Sequence, residues 1–467
     1  MKRILSLSSL PTLIAICITA LYSLAAVLVS VNRFKQYEVF YYDFGIYDQA
    51  IWKVSRFQAP IIEHLVIGGK WNLADHFTPS MYLLSPLYWL SDKQEIVLAA
   101  QAIAVGLSGF FIWSVAAHIL KNKWYALPVM MLYLLFVGLQ NAIISDLHEV
   151  TVMVLPLSVA IWAIVKGRVK TMYLAFVIAL GFKESNFLLG LGLGAFLFLV
   201  RPSWWKHVAI MGAASLLWGY LTINIFIPYF AGTPYQYMSD FPKNPVRFMQ
   251  SFVNSDQKRE TLLITFGSFA FLPLLAPITW PLIFQDFVPR FIPEVSGRAT
   301  LGLHYSAMIA PIMGLGVAYG LALLFTYVIK HVKVQWAVSL ALMILALYLH
   351  QFVYHGPLGL AYNRDFYRHS SEFGFLNKLI ELVPKDATVM TQNNLASHFT
   401  HQTVWLFRPN YDYYNPEYMV FDLRDGQNIN DFFGGGDVPS IYRAVKEDVK
   451  YELIYSTKEQ FVFKRKS

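Results

Sequence analysis

Asp43 and Asp48 stand five residues apart in YYDFGIYDQAIWKVSRF, and Asp75 adjoins His76 in LADHFTPSMYLLSPLYWL. A carboxylate near a second acid or an imidazole can take a proton from a hydroxyl, or share a divalent cation with it. Asp146, His148 and Glu149 follow in SDLHEV, and Lys183-Glu184 interrupts a long apolar stretch. QDFVPRFIPEVSGRATLGLHYS then supplies Asp286, Arg290, Glu294, Arg298, His304 and Tyr305. Guanidinium, ammonium and imidazole donors are the groups that neutralise a phosphate near the lipid headgroups. Each also has an ordinary explanation. Asp43 suits a helix N-cap, His76 a structural contact, Lys183-Glu184 an internal ion pair, and Lys183 and Arg298 the anchoring role of snorkelling cations. The sequence has no HExxH, paired CxxC or Walker-type loop, so neither a structural zinc site nor nucleotide hydrolysis has support in it.

The elements that must hold these residues are set by composition. Of the 467 residues, 56% are hydrophobic and 14% charged, with a mean hydropathy of +0.45. Soluble domains carry about 25% charged residues, so the sequence is that of a polytopic membrane protein, and soluble nucleic-acid binders and disulfide scaffolds are excluded. Cys17 is the single cysteine, so no intrachain disulfide forms.

An apolar run from Leu10 to Val31 follows Lys2 and Arg3 and is too long for a cleaved signal core, so it reads as a retained anchor. Spanning-length runs recur near 94–119, 124–144, 150–166, 206–228, 303–329 and 334–354. The stretches 170–200 and 261–293, broken by Lys183-Glu184 and by Pro273, Pro277 and Pro281, read as pairs of short helices. That gives about eleven crossings. Lys2/Arg3, Lys121/Lys123, Lys166/Arg168/Lys170, Arg201/Lys206 and Lys330/Lys333 then fall in alternate connections, as cytoplasmic loops require. The expectation is a cytoplasmic N-terminus, a long outer loop at about 32–93, and everything after Tyr354 outside.

In that outer loop Tyr41, Phe44, Tyr47, Ile51 and Trp52 recur at near-helical spacing, predicting an interfacial helix with its apolar face in the headgroups. From about Asn363 the composition changes: 27 of the last 105 residues are charged. Periodicity there predicts helix (SEFGFLNKLIELV), strand (ATVMT), short helix (NLASHF), strands (TVWLF, EYMVFDL), a Gly434–Gly436 loop, helix (SIYRAVKED) and a closing hairpin. The expected domains are therefore 1–362, transmembrane, and 363–467, a small extracytoplasmic α/β domain, in which His398 and His401 read as surface histidines.

YYDFGIYDQAIW, LADHFTPSMYLLSPLYWL, SDLHEV, the break at Lys183, GLHYSAMIAP and QNNLASHFTHQTVWLF, in this order, resemble a prokaryotic membrane-protein family within the GT-C glycosyltransferase superfamily. In architecture that superfamily includes the lipid A aminoarabinose transferase and the protein mannosyltransferases. The resemblance implies a GT-C-like α-helical membrane domain, a polyprenyl-phosphate-sugar donor, catalysis at the outer face of the cell membrane, and an essential acid just after the first transmembrane helix. Here that acid is Asp43, followed by Phe44 where related branches carry a second acid. Asp43 is then the general base of an inverting transfer, with Asp48 and His76 as catalytic support. Lys183, Arg290, Arg298, His304 and Tyr305 are candidates for the donor phosphate, and His148, Glu149 and Glu184 for the acceptor or cavity wall. The resemblance fixes no cofactor and leaves metal dependence open; a divalent ion, magnesium or manganese, would sit on Asp43, Asp48 and His76 where one is used. The implied partners are the lipid donor, an extracytoplasmic glycan, lipid or protein acceptor, and membrane lipids, with no nucleic acid.

Two other classes compete. A transporter or flippase would place ionisable groups at the bilayer midplane on discontinuous helices, often in two related halves. The breaks at 183 and 273–281 suit it, but the halves show no repeat. A noncatalytic envelope-assembly scaffold would suit the missing second acid.

Overall fold

The computed structural model describes residues 9–64, 69–237, 244–292, 296–425 and 438–466. Lys2, Arg3, Glu294 and the Gly434–Gly436 loop lie outside the described residues. The chain divides into two compact units. The first holds residues 1–29, 76–80 and 99–362, and the second 30–75, 81–98 and 363–467. Most of the loop between the first two long helices groups with the C-terminal segment, whereas the expected domains kept it with residues 1–362.

Unit 1 is built of helices. Over the described chain, six helices are long and apolar enough to cross a membrane: Leu10–Lys35, Glu95–Ile119, Glu149–Lys166, Pro202–Ala231, His304–Val328 and Val332–Val353. The pair Ala126–Leu134 and Val137–Ile144, bent by 46°, makes a seventh if it is one span. Val169–Leu180 and Glu184–Val200 are shorter apolar helices, and Asp256–Ser268 and Trp280–Phe291 occupy the proline-broken stretch. Helix therefore occupies all eleven expected segments, while six or seven have the length and apolarity of a span.

The basic connections meet one another. Gly167 ends the helix of Lys166 in the left-handed region, φ 70°, which glycine adopts without a Cβ penalty. The Arg201 guanidinium lies over it and donates to the carbonyls of Ile164 and Val165, both at 2.9 Å. Elsewhere among these connections Lys123 reaches Thr12 at 3.2 Å, and Trp124 packs on Trp336. Close helix packing uses small residues: a Cβ on Gly320 would come 2.4 Å from the Leu272 carbonyl oxygen.

Unit 2 contains a two-stranded ribbon, β1 (Ile61–Ile62) and β2 (Lys70–Trp71), and a five-stranded sheet. The sheet comprises β3 (Val389–Thr391), β4 (Val404–Leu406), β5 (Tyr418–Asp422), β6 (Tyr451–Ser456) and β7 (Gln460–Arg465) in the order β4-β3-β5-β7-β6. β3 pairs in parallel with β4 and β5, whereas β7 pairs antiparallel with β5 and β6. Alternate residues face two cores, as strand geometry dictates. Val389, Val404, Leu406, Val420 and Val462 face one, with Tyr37, Tyr41, Leu379 and Phe399. Met390, Met419, Phe421 and Phe463 face the other, closed by Ile441 and Val445 of the helix Val438–Glu447.

The outer loop corrects the expectation. Tyr41, Phe44 and Ile51 are fully buried in protein rather than in headgroups. Tyr41 packs under the sheet because the loop is part of the same fold. The large apolar side chains left outside are Phe57, Leu83, Trp89 and Leu90; Leu83 and Trp89 belong to the 3-10 helix Pro79–Trp89. Asp43 is no cap either. It lies inside a π-helical turn, Tyr41–Gly45, that runs into the helix Ile46–Ser55, and the residue at the head of the turn is Phe40.

Candidate functional site

Of the eleven singled-out residues, nine belong to unit 1 and gather at helix ends away from the basic connections. Glu149 opens one helix, Lys183-Glu184 separates two, Arg290 closes another, and His304 and Tyr305 begin the next. The Lys183 ammonium donates to Glu149 Oε1 at 2.6 Å, and both groups are largely buried. Lys183, His148, His304 and His76 all lie within coulombic reach of the Glu149 carboxylate. The His148 and His304 rings stack at 3.5 Å, and Tyr305 follows at 4.1 Å from His304.

Glu184 is held from three sides. His76 Nδ1 is 2.9 Å from Oε1, the Tyr235 hydroxyl donates to the same oxygen at 2.8 Å, and the Phe77 amide donates to Oε2 at 3.2 Å. Burial, then the Glu184 carboxylate, holds the Tyr235 phenol far above its ordinary range, so it stays a donor. The His76 ring stacks on Tyr237, which is 40% exposed. An imidazole stacked on an exposed tyrosine, with an acid behind it, is a surface that a polar ring could enter.

The cations differ in how far they are occupied. Lys183 is neutralised by Glu149, and Arg290 by Asp286 at 2.8 Å with a further bond to Ser306. Arg298 lies within coulombic reach of Tyr235, and its carbonyl accepts from Arg290 Nε at 3.2 Å. Among the described residues no acid pairs with its guanidinium.

Asp43 and Asp48 belong to unit 2. Asp43 is exposed on the turn, while Asp48, one and a half turns on, is completely buried. Both Asp48 oxygens are occupied, one by the Tyr88 hydroxyl and the other by that of Thr400, with His401 Nε2 at 3.3 Å. Burial, then the Asp48 charge, drives the Tyr88 phenol well above its ordinary range. His401 stacks on Trp52 at 4.9 Å, and the Trp52 indole donates to Asp92 at 2.8 Å, as does Arg56. Burial raises the Asp92 carboxyl, but these two bonds and the His401 charge outweigh it and leave it below its usual range.

His398 and His401 are thus not surface histidines. His398 lies between Phe34 and Tyr37, 4.1 Å from each ring, and burial lowers it to about 3. His64, which nothing in the sequence marked out, behaves alike: burial, then the Arg408 charge, lowers it to about 3, and its Nδ1 accepts from the Leu406 amide. The sequence singled out His76, His148 and His304 but not these three, because partners more than 300 residues apart leave no local pattern. Among the described residues no three His, Cys, Asp or Glu are grouped to hold a metal ion.

The family model described as a predicted membrane protein, DUF2079, matches residues 33–429. The chain belongs to that family. In fold this DUF2079 protein is similar to ArnT from Cupriavidus metallidurans, in its crystal structure bound to undecaprenyl phosphate. The TM-score is 0.51 at 11% identity, covering 98% of each chain. At that identity the likeness is one of fold. Among curated proteins none matches the sequence.

Proposed function

We propose that this DUF2079 protein is a membrane glycosyltransferase that moves a sugar from a polyprenyl-phosphate-linked donor to an extracytoplasmic acceptor with inversion. The observation that carries the reading is the gathering of His76, Lys183, Glu184, Arg298 and His304 with Tyr235 at one set of helix ends, away from the basic connections. A donor phosphate at headgroup level needs such a cluster, and the ArnT-like fold is one that binds undecaprenyl phosphate in ArnT. This reading takes the basic connections as cytoplasmic, as the positive-inside rule requires, and the cluster at the opposite helix ends as outward-facing.

The acceptor oxygen attacks the anomeric carbon, the bond from that carbon to the phosphate oxygen breaks, and the phosphate leaves with the electron pair. The hydroxyl proton passes to Asp43, the exposed acid of the turn. Arg298 takes the growing charge on the phosphate, while Lys183, tied to Glu149, holds the pocket's shape. Tyr237 and His76 present rings to the sugar, and Glu184 orients both His76 and Tyr235. A divalent ion is not needed by this scheme; Asp43 is the acid one would meet.

Purified protein in nanodiscs, given radiolabelled polyprenyl-phosphate sugars and host membrane extract, tests it. Asp43→Asn should lower release of label from the lipid by about 10²–10⁴-fold with unchanged folding. Arg298→Ala should raise the donor KM. If wild type consumes no donor, transport or scaffolding replaces the reading; if Asp43→Asn transfers normally, the base lies elsewhere.

A further inference from the structure

The turn carrying Asp43 is tied at its head to a distant part of the chain. The π-helical turn Tyr41–Gly45 has no side-chain cap, and the helix it feeds, Ile46–Ser55, starts after Gly45, again without one. The first amides of such a turn need acceptors from elsewhere. The Phe44 amide finds one locally, in the Phe40 carbonyl at 3.0 Å, but the Tyr42 amide finds its acceptor in the connection between β3 and β4, 351 residues away in sequence. The Tyr42 amide, immediately before Asp43, donates to the Asn393 side-chain oxygen at 3.0 Å. Asn393 is itself 1% exposed, at the head of the short helix Asn393–Ala396.

The same connection grips the flanks. Upstream, His398 is enclosed by Phe34 and Tyr37, and its carbonyl accepts from Gln94 at 3.2 Å. Downstream, Thr400 and His401 meet Asp48, and the Gln402 carbonyl accepts from Gln49 at 3.0 Å. The Tyr41 hydroxyl closes the set by donating to Gln49 Oε1 at 2.7 Å. Residues 393–402 therefore touch the chain on both sides of Asp43, at Phe34, Tyr37 and Tyr42 before it and at Asp48 and Gln49 after it. Thr400 and His401 work by burying an acid; Asn393 works on the backbone amide adjoining the reactive carboxylate.

We propose that the β3–β4 connection is the positioning element of the Asp43 turn, with Asn393 as its positioning residue, so that the C-terminal segment takes part in catalysis instead of serving only as a cover or an acceptor dock. The proposal rests on the reading of Asp43 as base. It makes Asp48 the pin of this clasp and assigns no proton transfer to it. A carbonyl-type oxygen is what the Tyr42 amide requires at position 393. Asparagine supplies it without charge, whereas aspartate would supply it with a negative charge next to Asp43.

Three variants in nanodiscs decide the matter: Asn393→Ala, Asn393→Asp and Asp43→Asn. Amide hydrogen exchange over residues 41–46, followed by mass spectrometry, needs no substrate. Asn393→Ala should speed exchange there at least tenfold, and Asn393→Asp should restore protection. In the transfer assay Asn393→Ala should lower kcat by tenfold or more with an unchanged donor KM. Asn393→Asp should recover most of kcat while moving the acid limb of its pH profile upward, because the added charge raises the pKa of the neighbouring base. Unchanged exchange in Asn393→Ala overturns the proposal whatever the chemistry. Faster exchange with a normal kcat, in a protein that Asp43→Asn inactivates, also overturns it while leaving the base in place. Faster exchange and lost kcat alongside a fully active Asp43→Asn would retire the base assignment, and with it the catalytic part of the clasp.

Discussion

Of the acid–histidine pairs among the described residues, two with the acid buried beside the ring, one from each unit, are built to opposite ends. His76 stands 2.9 Å from Glu184 and His401 3.3 Å from Asp48, with both acids buried. Around Glu184 the histidine's other face stacks on an exposed tyrosine. Around Asp48 two hydroxyls fill the carboxylate and Trp52 covers the imidazole. An acid with a histidine beside it reads the same in sequence in either case. What separates a reactive surface from a rivet is how much of the histidine is covered and how many donors the acid already has, both set by chain brought from far away.

The sharpest way to break this contrast is to unpair a charge in unit 1. Glu149→Gln leaves Lys183 buried without its closest acid, and the expected loss is about 3–5 kcal/mol, read as a lower unfolding midpoint in detergent. Adding Lys183→Met should recover most of it, because the remaining cost is that of a lone buried charge. If the single variant is as stable as wild type, water reaches the pair and the cluster is open throughout.

Asp48→Ala comes next. It strips Tyr88 and Thr400 of their acceptor in a fully buried place, for an expected loss of about 2–4 kcal/mol in unit 2. Asp48→Asn should cost about half as much. A stable Asp48→Ala protein that has lost transfer would turn the rivet into chemistry and erase the distinction between the two pairs.

Acid gives the smallest effect per group. His64 and His398 are held neutral to about 3, so below the ordinary histidine range the unfolded chain binds protons that the folded one does not. Stability must therefore fall as pH drops from about 6.5 towards 3, by up to about 2 kcal/mol per histidine at pH 5. Asp92, with a depressed carboxyl, adds its own loss at still lower pH. Melting at pH 7 and pH 5 checks this, and His64→Asn should remove one share of the difference.

Much of the secondary structure was written in local pattern. Helix occupies each apolar stretch, and the strands β3 to β7 lie within ATVMT, TVWLF, EYMVFDL and the closing hairpin, since periods of 3.6 and 2 need no distant information. Sheet order was not legible, because β7 enters between β5 and β6 only through pairing. The polar residues of unit 1 could be singled out by the scarcity of charge, which makes each one conspicuous. Their pairing could not: that Lys183 belongs to Glu149 and Glu184 to His76, rather than to each other, depends on how helices cross. The apolar face of Tyr41, Phe44 and Ile51 pointed to lipid for the same reason. Spacing reveals that a face is to be covered, and only the assembled fold reveals by what.

The broken order of unit 2 also sets a timetable for biosynthesis. Its early pieces, residues 30–75 and 81–98, leave the ribosome more than 260 residues ahead of the sheet that completes them. At about 5–20 residues per second, Tyr41 and Phe44 stay without their core for roughly 20 to 80 s while the intervening helices enter the membrane. During that interval a nascent chain has an aromatic loop with nothing to fold against, and a truncation anywhere before residue 363 makes the condition permanent. Quality control of this protein should accordingly read the loop: a ribosome that stops early releases a product whose defect is displayed near its beginning.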